Sequence, residues 1–185
     1  MTRRNFETCS GASSLDLVDT VADRFGQAAD LLATPSDLDR WFGVVFGRLG
    51  IQVTSTGSDL RSARELREAI YRSAKAVMSD TAPAPADVRL INQLAQLPKP
   101  VPQLKGGAVA YEADAPARAM FALLAADAII LLSRDNAARL RSCPECQMIF
   151  FDNSRPGRRI WCSSAKGCGN RAKVRRHRAR KAEAN

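Results

Sequence analysis

The sequence has one histidine, two tyrosines and two tryptophans among 185 residues. The single histidine, His177, lies close to the C-terminus. A nuclease built on a histidine base and a second metal site therefore has nothing to use. Neither a Gly-rich phosphate loop nor a nucleophile elbow occurs. No catalytic constellation is visible, and the expectation is a non-enzyme. The longest nearly apolar stretch, residues 119–132, is interrupted by Asp127. It is too short to cross a bilayer. The opening MTRRNFETCSG carries charges with no apolar segment behind them, so no secretory signal is visible. A cytoplasmic, nucleoid-associated protein is expected, with no membrane partner.

What is present is unevenly distributed. The formal net charge is +9, with 45% hydrophobic and 25% charged residues, the balance of a globular chain. Residues 134–185 carry 14 Lys and Arg against 4 Asp and Glu, whereas residues 1–133 carry 14 against 15. A near-neutral body with a strongly basic end points to a polyanionic partner. Four of the five cysteines fall at 143, 146, 162 and 168, and only Cys9 lies elsewhere. Clustered cysteines without a secretory signal favour metal ligation over disulfides.

Residues 1–141 read as a helical domain with one small β-hairpin. Helices are expected over 13–32, capped by Ser13 or Ser14, over 36–49 with Ser36 as N-cap and Gly50 after its end, and over 58–79. A fourth opens at Pro85 and runs to about 97. Residues 101–112 read as a hairpin turning at Lys105-Gly106-Gly107, followed by a largely apolar, central helix to about 133. Trp41, Phe42 and Phe46 recur at helical spacing and read as core. Asp16, Asp19 and Asp23 read as a solvated acidic stripe near a helix N-terminus, and Cys9 as part of a frayed terminus.

Residues 142–185 are more specific. In Cys143-Pro-Glu-Cys146 both thiolates can turn to one ion, and Cys162 and Cys168 complete a tetrahedral set. A redox role for that pair needs a βαβ setting, which is missing. Four thiolates leave no open position, so the expected cofactor is one structural Zn²⁺. The spacer reads as a hairpin, with strands at 148–151 and 159–162 around a turn-forming 152–157. A helix is expected from about 169, giving the order of a treble-clef finger. Arg155, Arg158 and Arg159 flank the turn. Arg171, Lys173, Arg175, Arg176, Arg178 and Arg180 follow the last cysteine, with Lys181 behind them, and their positions fall all around a helix. These cations are the candidate nucleic-acid contacts.

Cys168-Gly169-Asn170-Arg171, with Trp161-Cys162-Ser163 before it and Phe151-Asp152-Asn153-Ser154-Arg155 upstream, resembles the CGNR zinc finger of bacterial proteins. Leu15-Asp16-Leu17-Val18-Asp19-Thr20, Thr34-Pro35-Ser36-Asp37-Leu38 and Trp41 are similar to the ABATE domain that precedes this finger. Leu17 and Asp19 stand where that domain usually has Phe and Asn, and five residues rather than four separate Cys162 from Cys168. The resemblance implies a helical domain followed by a zinc finger and a role in transcription regulation. The expected function is zinc-dependent DNA binding, with the helical domain dimerising or sensing a signal; the alternative is an RNA-binding or ribosome-associated module. Few aromatics accompany the finger besides Phe150, Phe151 and Trp161, so no base-stacking platform is evident.

Overall fold

The computed structural model describes residues 6–163 and 166–183. The body is built on helix α5 (Pro116–Leu131), whose buried residues include Met120, Phe121, Leu124 and Ala128. Around it pack α1 (Ser13–Val18), α3 (Gly57–Met78) and α4 (Pro85–Ala95). Helix α2 (Pro35–Phe46) closes the core with Trp41 and Phe42, both buried. The Phe42 and Phe121 rings meet at 5.7 Å and 57°, so α2 and α5 are locked by tilted aromatic contact. Replacing either ring by Ala would cost about 3–5 kcal/mol.

Local chemistry sets most helix ends. Thr34 caps α2 and Thr56 caps α3; each forms a reciprocal capping box with the Asp three residues on. The cap of α2 is thus Thr34 and not Ser36, because Pro35 takes the first helical position, where a missing N–H costs nothing. A short 3-10 turn (Gly47–Leu49) follows, ended by Gly50 at φ 68°. The hairpin forms as expected: β3 (Val101–Lys105) pairs antiparallel with β4 (Ala108–Glu112) around Gly106-Gly107. The four-residue helix α6 (Arg134–Ala137) was not anticipated.

The expected helix over 13–32 stops at Val18. Ala12, not a serine, is its N-cap. Beyond it the chain makes two short antiparallel strands, β1 (Val21–Ala22) and β2 (Ala29–Asp30). Tertiary bonds override the helical pattern. The buried Arg67 of α3 grips both oxygens of Asp30, at 2.8 and 3.0 Å, and also donates to Thr20 at 3.2 Å. Asp23 turns the chain at φ 51°, and its carboxylate accepts from the Gln27 amide at 3.0 Å. Nor do the acidic residues of this segment form a solvated stripe: Asp23 is exposed, but Asp16 is buried and Asp19 half-buried. Asp16 is 8% exposed and accepts from the amide and hydroxyl of Ser10 at 3.1 and 2.6 Å. Burial pushes the Asp19 carboxyl up to about 7.

Candidate metal centre and nucleic-acid interface

The finger begins with β5 (Leu140–Ser142), turns through the cysteine knuckle and returns as β6 (Ile149–Phe151). The amide of Gln147 donates to the Cys143 carbonyl at 2.8 Å, and the amide of Cys143 donates to Met148 O at 2.9 Å. Gln147 adopts φ 58° to close this tight turn. The hairpin therefore surrounds the knuckle instead of following it. Residues 159–162, expected as a return strand, form none; the preceding loop is held by side chains instead. Helix α7 (Cys168–Glu183) starts on the fourth cysteine.

The Sγ atoms of Cys143, Cys146, Cys162 and Cys168 all lie within 4.8 Å of one another. Cys146 and Cys162 stand 3.6 Å apart, and Cys162 and Cys168 3.7 Å. Four sulfurs at 2.3 Å from one tetrahedral zinc would be about 3.8 Å apart. The donor set and its spacing fit one Zn²⁺, and with four thiolates the ion is structural. The thiols are unequal. Burial raises Cys143, but backbone N–H groups of Cys146, Cys162 and Glu145 outweigh it and bring the thiol down to about 7. Burial pushes Cys168 up to about 11, and burial with the Cys146 thiolate raises Cys162. A divalent cation removes that crowding penalty by holding all four as thiolates.

Side chains around the cysteines fix their positions. Arg171 donates from Nη2 to Cys168 Sγ at 3.1 Å and from Nη1 to the Lys166 carbonyl at 2.6 Å. It is thus a positioning residue for the sulfur. A Cβ on Gly169 would meet the Trp161 indole at 3.0 Å, so this glycine admits the ring rather than the ion. Asn170 is exposed. Asp152 is fully buried and accepts from the amides of Ser154 and Arg159 at 2.9 and 2.8 Å. These bonds, with Arg141 nearby, hold its carboxyl below the usual range. Arg139 donates to the carbonyls of Asp152 and Ser154, and Arg141 to that of Gly157. Sequence reasoning assigned no role to Asp152, Arg139 or Arg141. The Asp-x-Ser pattern at 152–154, which favours an Asx turn, was the available signal.

The finger is joined to the start of the chain. Phe151 N donates to Ser10 O at 2.6 Å, and Asn153 Nδ2 to Gly11 O at 2.7 Å. Cys9 is not frayed: it packs against the cysteine cluster, and its carbonyl accepts from Arg159 at 3.3 Å. Leu140 and Ile149 belong to the body's hydrophobic core.

The candidate nucleic-acid contacts divide into two sets. Arg159 lies 4.7 Å over the Phe150 ring and also donates to Trp161 O. Arg171 serves Cys168, and Arg175 grips Glu145 with both terminal nitrogens at 2.5 Å. Arg155, Arg158, Lys173, Arg176, Arg178 and Arg180 are exposed, with no ion-pair partner among the described residues. Arg171, Arg175 and Arg178 fall within about 60° of one helical face, and Lys173, Arg176 and Arg180 within about 60° of the opposite one. Beside that second face a groove of about 640 Å³ is lined by Arg159, Ile160, Trp161, Asn170 and Lys173. No helix among the described residues is long and apolar enough to cross a membrane.

A helical body with a four-cysteine cluster and an exposed basic helix defines a zinc-binding protein. Residues 11–135 match the ABATE family model, described as "Putative stress-induced transcription regulator", and residues 139–181 match the CGNR zinc finger. The chain belongs to the ABATE family and carries a CGNR zinc finger. Neither matched family is an enzymatic type. No curated protein matches the sequence.

Proposed function

We propose that this protein is a DNA-binding transcription regulator of the cytoplasmic nucleoid. In this reading the finger and basic helix of residues 142–185 bind DNA, and the helical domain of residues 1–141 dimerises or senses a signal. The observation that carries it is the outer face of α7, where Lys173, Arg176 and Arg180 are exposed on one side of a helix that begins on a metal ligand. These three lie within eight residues, about 10 Å along the helix axis, so one strand's backbone can meet them together. Arg155 and Arg158 on the loop add two more unpaired cations. Phosphate contacts of this kind dominate affinity and are lost as salt rises. One finger binds modestly, so a dimer reading two half-sites is part of the proposal.

The test is a salt titration of duplex binding by the zinc-loaded protein. The triple variant Lys173→Ala/Arg176→Ala/Arg180→Ala should flatten the logarithmic salt slope by about 2–3. An unchanged slope refutes this face as the contact. Structured RNA that competes better than duplex DNA would favour the RNA reading instead.

A further inference from the structure

The β3–β4 hairpin has no strand beyond its own two among the described residues. All of β3 is exposed, and so are Ala108, Val109 and Glu112 of β4. A lone two-stranded hairpin is marginal in water, whereas three or more strands with an apolar face are stable. The register puts Pro102, Leu104, Val109 and Tyr111 on one face. Leu104 is 80% exposed and Val109 67%. The other face carries Gln103, Lys105, Ala108, Ala110 and Glu112, with Lys105 and Glu112 in an ion pair.

The two edges differ. Pro102 stands opposite Tyr111 and has no N–H, so that pair is a non-hydrogen-bonded one. By alternation Leu104–Val109 is another, and Gln103–Ala110 exchanges hydrogen bonds. On β3, Pro102 therefore faces outward and blunts the edge. On β4, Val109 and Tyr111 direct N–H and C=O outward on either side of Ala110, with no proline between them.

That edge is complementary to itself. A second copy laid antiparallel about a two-fold axis at Ala110 sets Val109 of each chain against Tyr111 of the other, and every outward group of both residues finds its partner. Val109 and Tyr111 then form aromatic–β-branched cross-strand pairs on the apolar face. On the other face Ala108 lies opposite Glu112 of the second copy. Lys105 thus meets that Glu112 across two strand spacings, about 10 Å, with only the small Ala108 between. Backbone, apolar and charged groups all match in this one register.

We propose that the chain forms a homodimer by pairing β4 with β4 of a second copy, centred on Ala110, into one four-stranded antiparallel sheet. This gives the dimer of the preceding reading its surface and rests on that part of it. The test uses no DNA, so it can fail while DNA binding by the finger stands.

Sedimentation equilibrium of the zinc-loaded full chain should show a reversible monomer–dimer equilibrium. Val109→Pro removes only an outward N–H, leaves the hairpin's own bonds, and should weaken the dimer at least tenfold. Ala110→Cys, in a Cys9→Ser background with zinc bound, brings two introduced sulfurs together at a non-hydrogen-bonded pair, where Cα atoms about 4.5 Å apart suit a disulfide. Glutathione disulfide should link the copies there, with the link located by peptide mass spectrometry. Ala108→Cys puts the two positions about 13 Å apart and should link at least tenfold more slowly. A monomer at every concentration up to millimolar, a dimer that Val109→Pro leaves unweakened, or equal linking by the two cysteine variants would overturn the interface. The linking rates decide the register even if Val109→Pro folds poorly.

Discussion

Gly11 joins the finger to the N-terminal segment, and its replacement by Ala should be disproportionately costly. Gly11 adopts φ 90°, and an added Cβ would lie 2.5 Å from Phe151 O and 3.0 Å from Asn153 Nδ2. The backbone conformation alone costs about 1–2 kcal/mol for a residue with a Cβ. The clash adds to this, because the oxygen met is backbone in β6 and cannot rotate away. Relief requires residues 10 and 11 to lift, which breaks the bonds from Phe151 N to Ser10 O and from Asn153 Nδ2 to Gly11 O. Each is worth about 1 kcal/mol. The total is about 3–4 kcal/mol. Gly50 is the control: it also has positive φ, 68°, but an added Cβ meets nothing within 4 Å. Gly50→Ala should therefore cost only about 1–2 kcal/mol. Urea unfolding of the zinc-loaded proteins, followed by tryptophan fluorescence, measures both. Gly11→Ala should in addition release zinc faster to a chelator, whereas Gly50→Ala should not. If the two variants differ by less than about 0.5 kcal/mol, the clamp between the N-terminus and the finger does not hold the fold as argued.

Chelation should abolish the ordered signal of Trp161 in the finger while Trp41, deep in the body core, keeps its own; parallel loss of both in near-ultraviolet CD of the Trp→Phe variants would show that the body also needs the metal. Arg171→Leu removes the donor to Cys168 Sγ and should lower zinc affinity about 10–100-fold in chelator competition. Asp19 has its folded pKa raised to about 7, mainly by burial, so its ionisation opposes folding between the unfolded value near 3.8 and 7. Stability from this group is fully present at low pH and falls as pH rises through that window. Asp19→Asn should accordingly stabilise most at pH 8 and progressively less toward pH 5.5, and a gain independent of pH would contradict the assignment. Glu145→Gln frees Arg175 and deletes a carboxylate beside α7, so duplex DNA affinity should rise and the salt slope steepen by about one; an unchanged slope would mean the knuckle-facing side of the helix never reaches phosphate.

Much of the fold was legible because its signals are local. Thr34 and Thr56 with their following aspartates, Pro85, and the Gly106-Gly107 turn act within a few residues of themselves. The early end of α1 was not legible, because it depends on Arg67, which lies 37 residues beyond Asp30. The pairing of β5 with β6 was hidden for a different reason. Leu140-Arg-Ser is too short and mixed to read as a strand, and its partner was equally compatible with a hairpin to 159–162. Asp16 and Asp19 show the limit of pattern reading near a helix start. An acidic residue there satisfies the helix dipole, but Ser10 covers Asp16 and bonds it as a buried group.

The metal site was legible for a stronger reason than the fold. Thiolate chemistry restricts what four clustered cysteines can do, and the tetrahedral distance condition is met whatever path the spacer takes. The basic residues lack such a condition. Composition alone makes Arg159, Arg171, Arg175 and Arg176 equivalent, yet each has a separate environment. Arg159 covers a buried ring, Arg171 supports a sulfur, Arg175 is held by Glu145, and Arg176 faces solvent. The knuckle contributes Glu145, and with it a direction: Arg171 and Arg175 on that side of α7 are engaged by the finger, whereas Lys173, Arg176 and Arg180 on the opposite side are exposed. A helix that is basic all round in sequence is two-faced in the fold, and Glu145 makes it so. Its position, one residue before Cys146, means that the same turn that shapes the metal site also determines which side of the helix is left free.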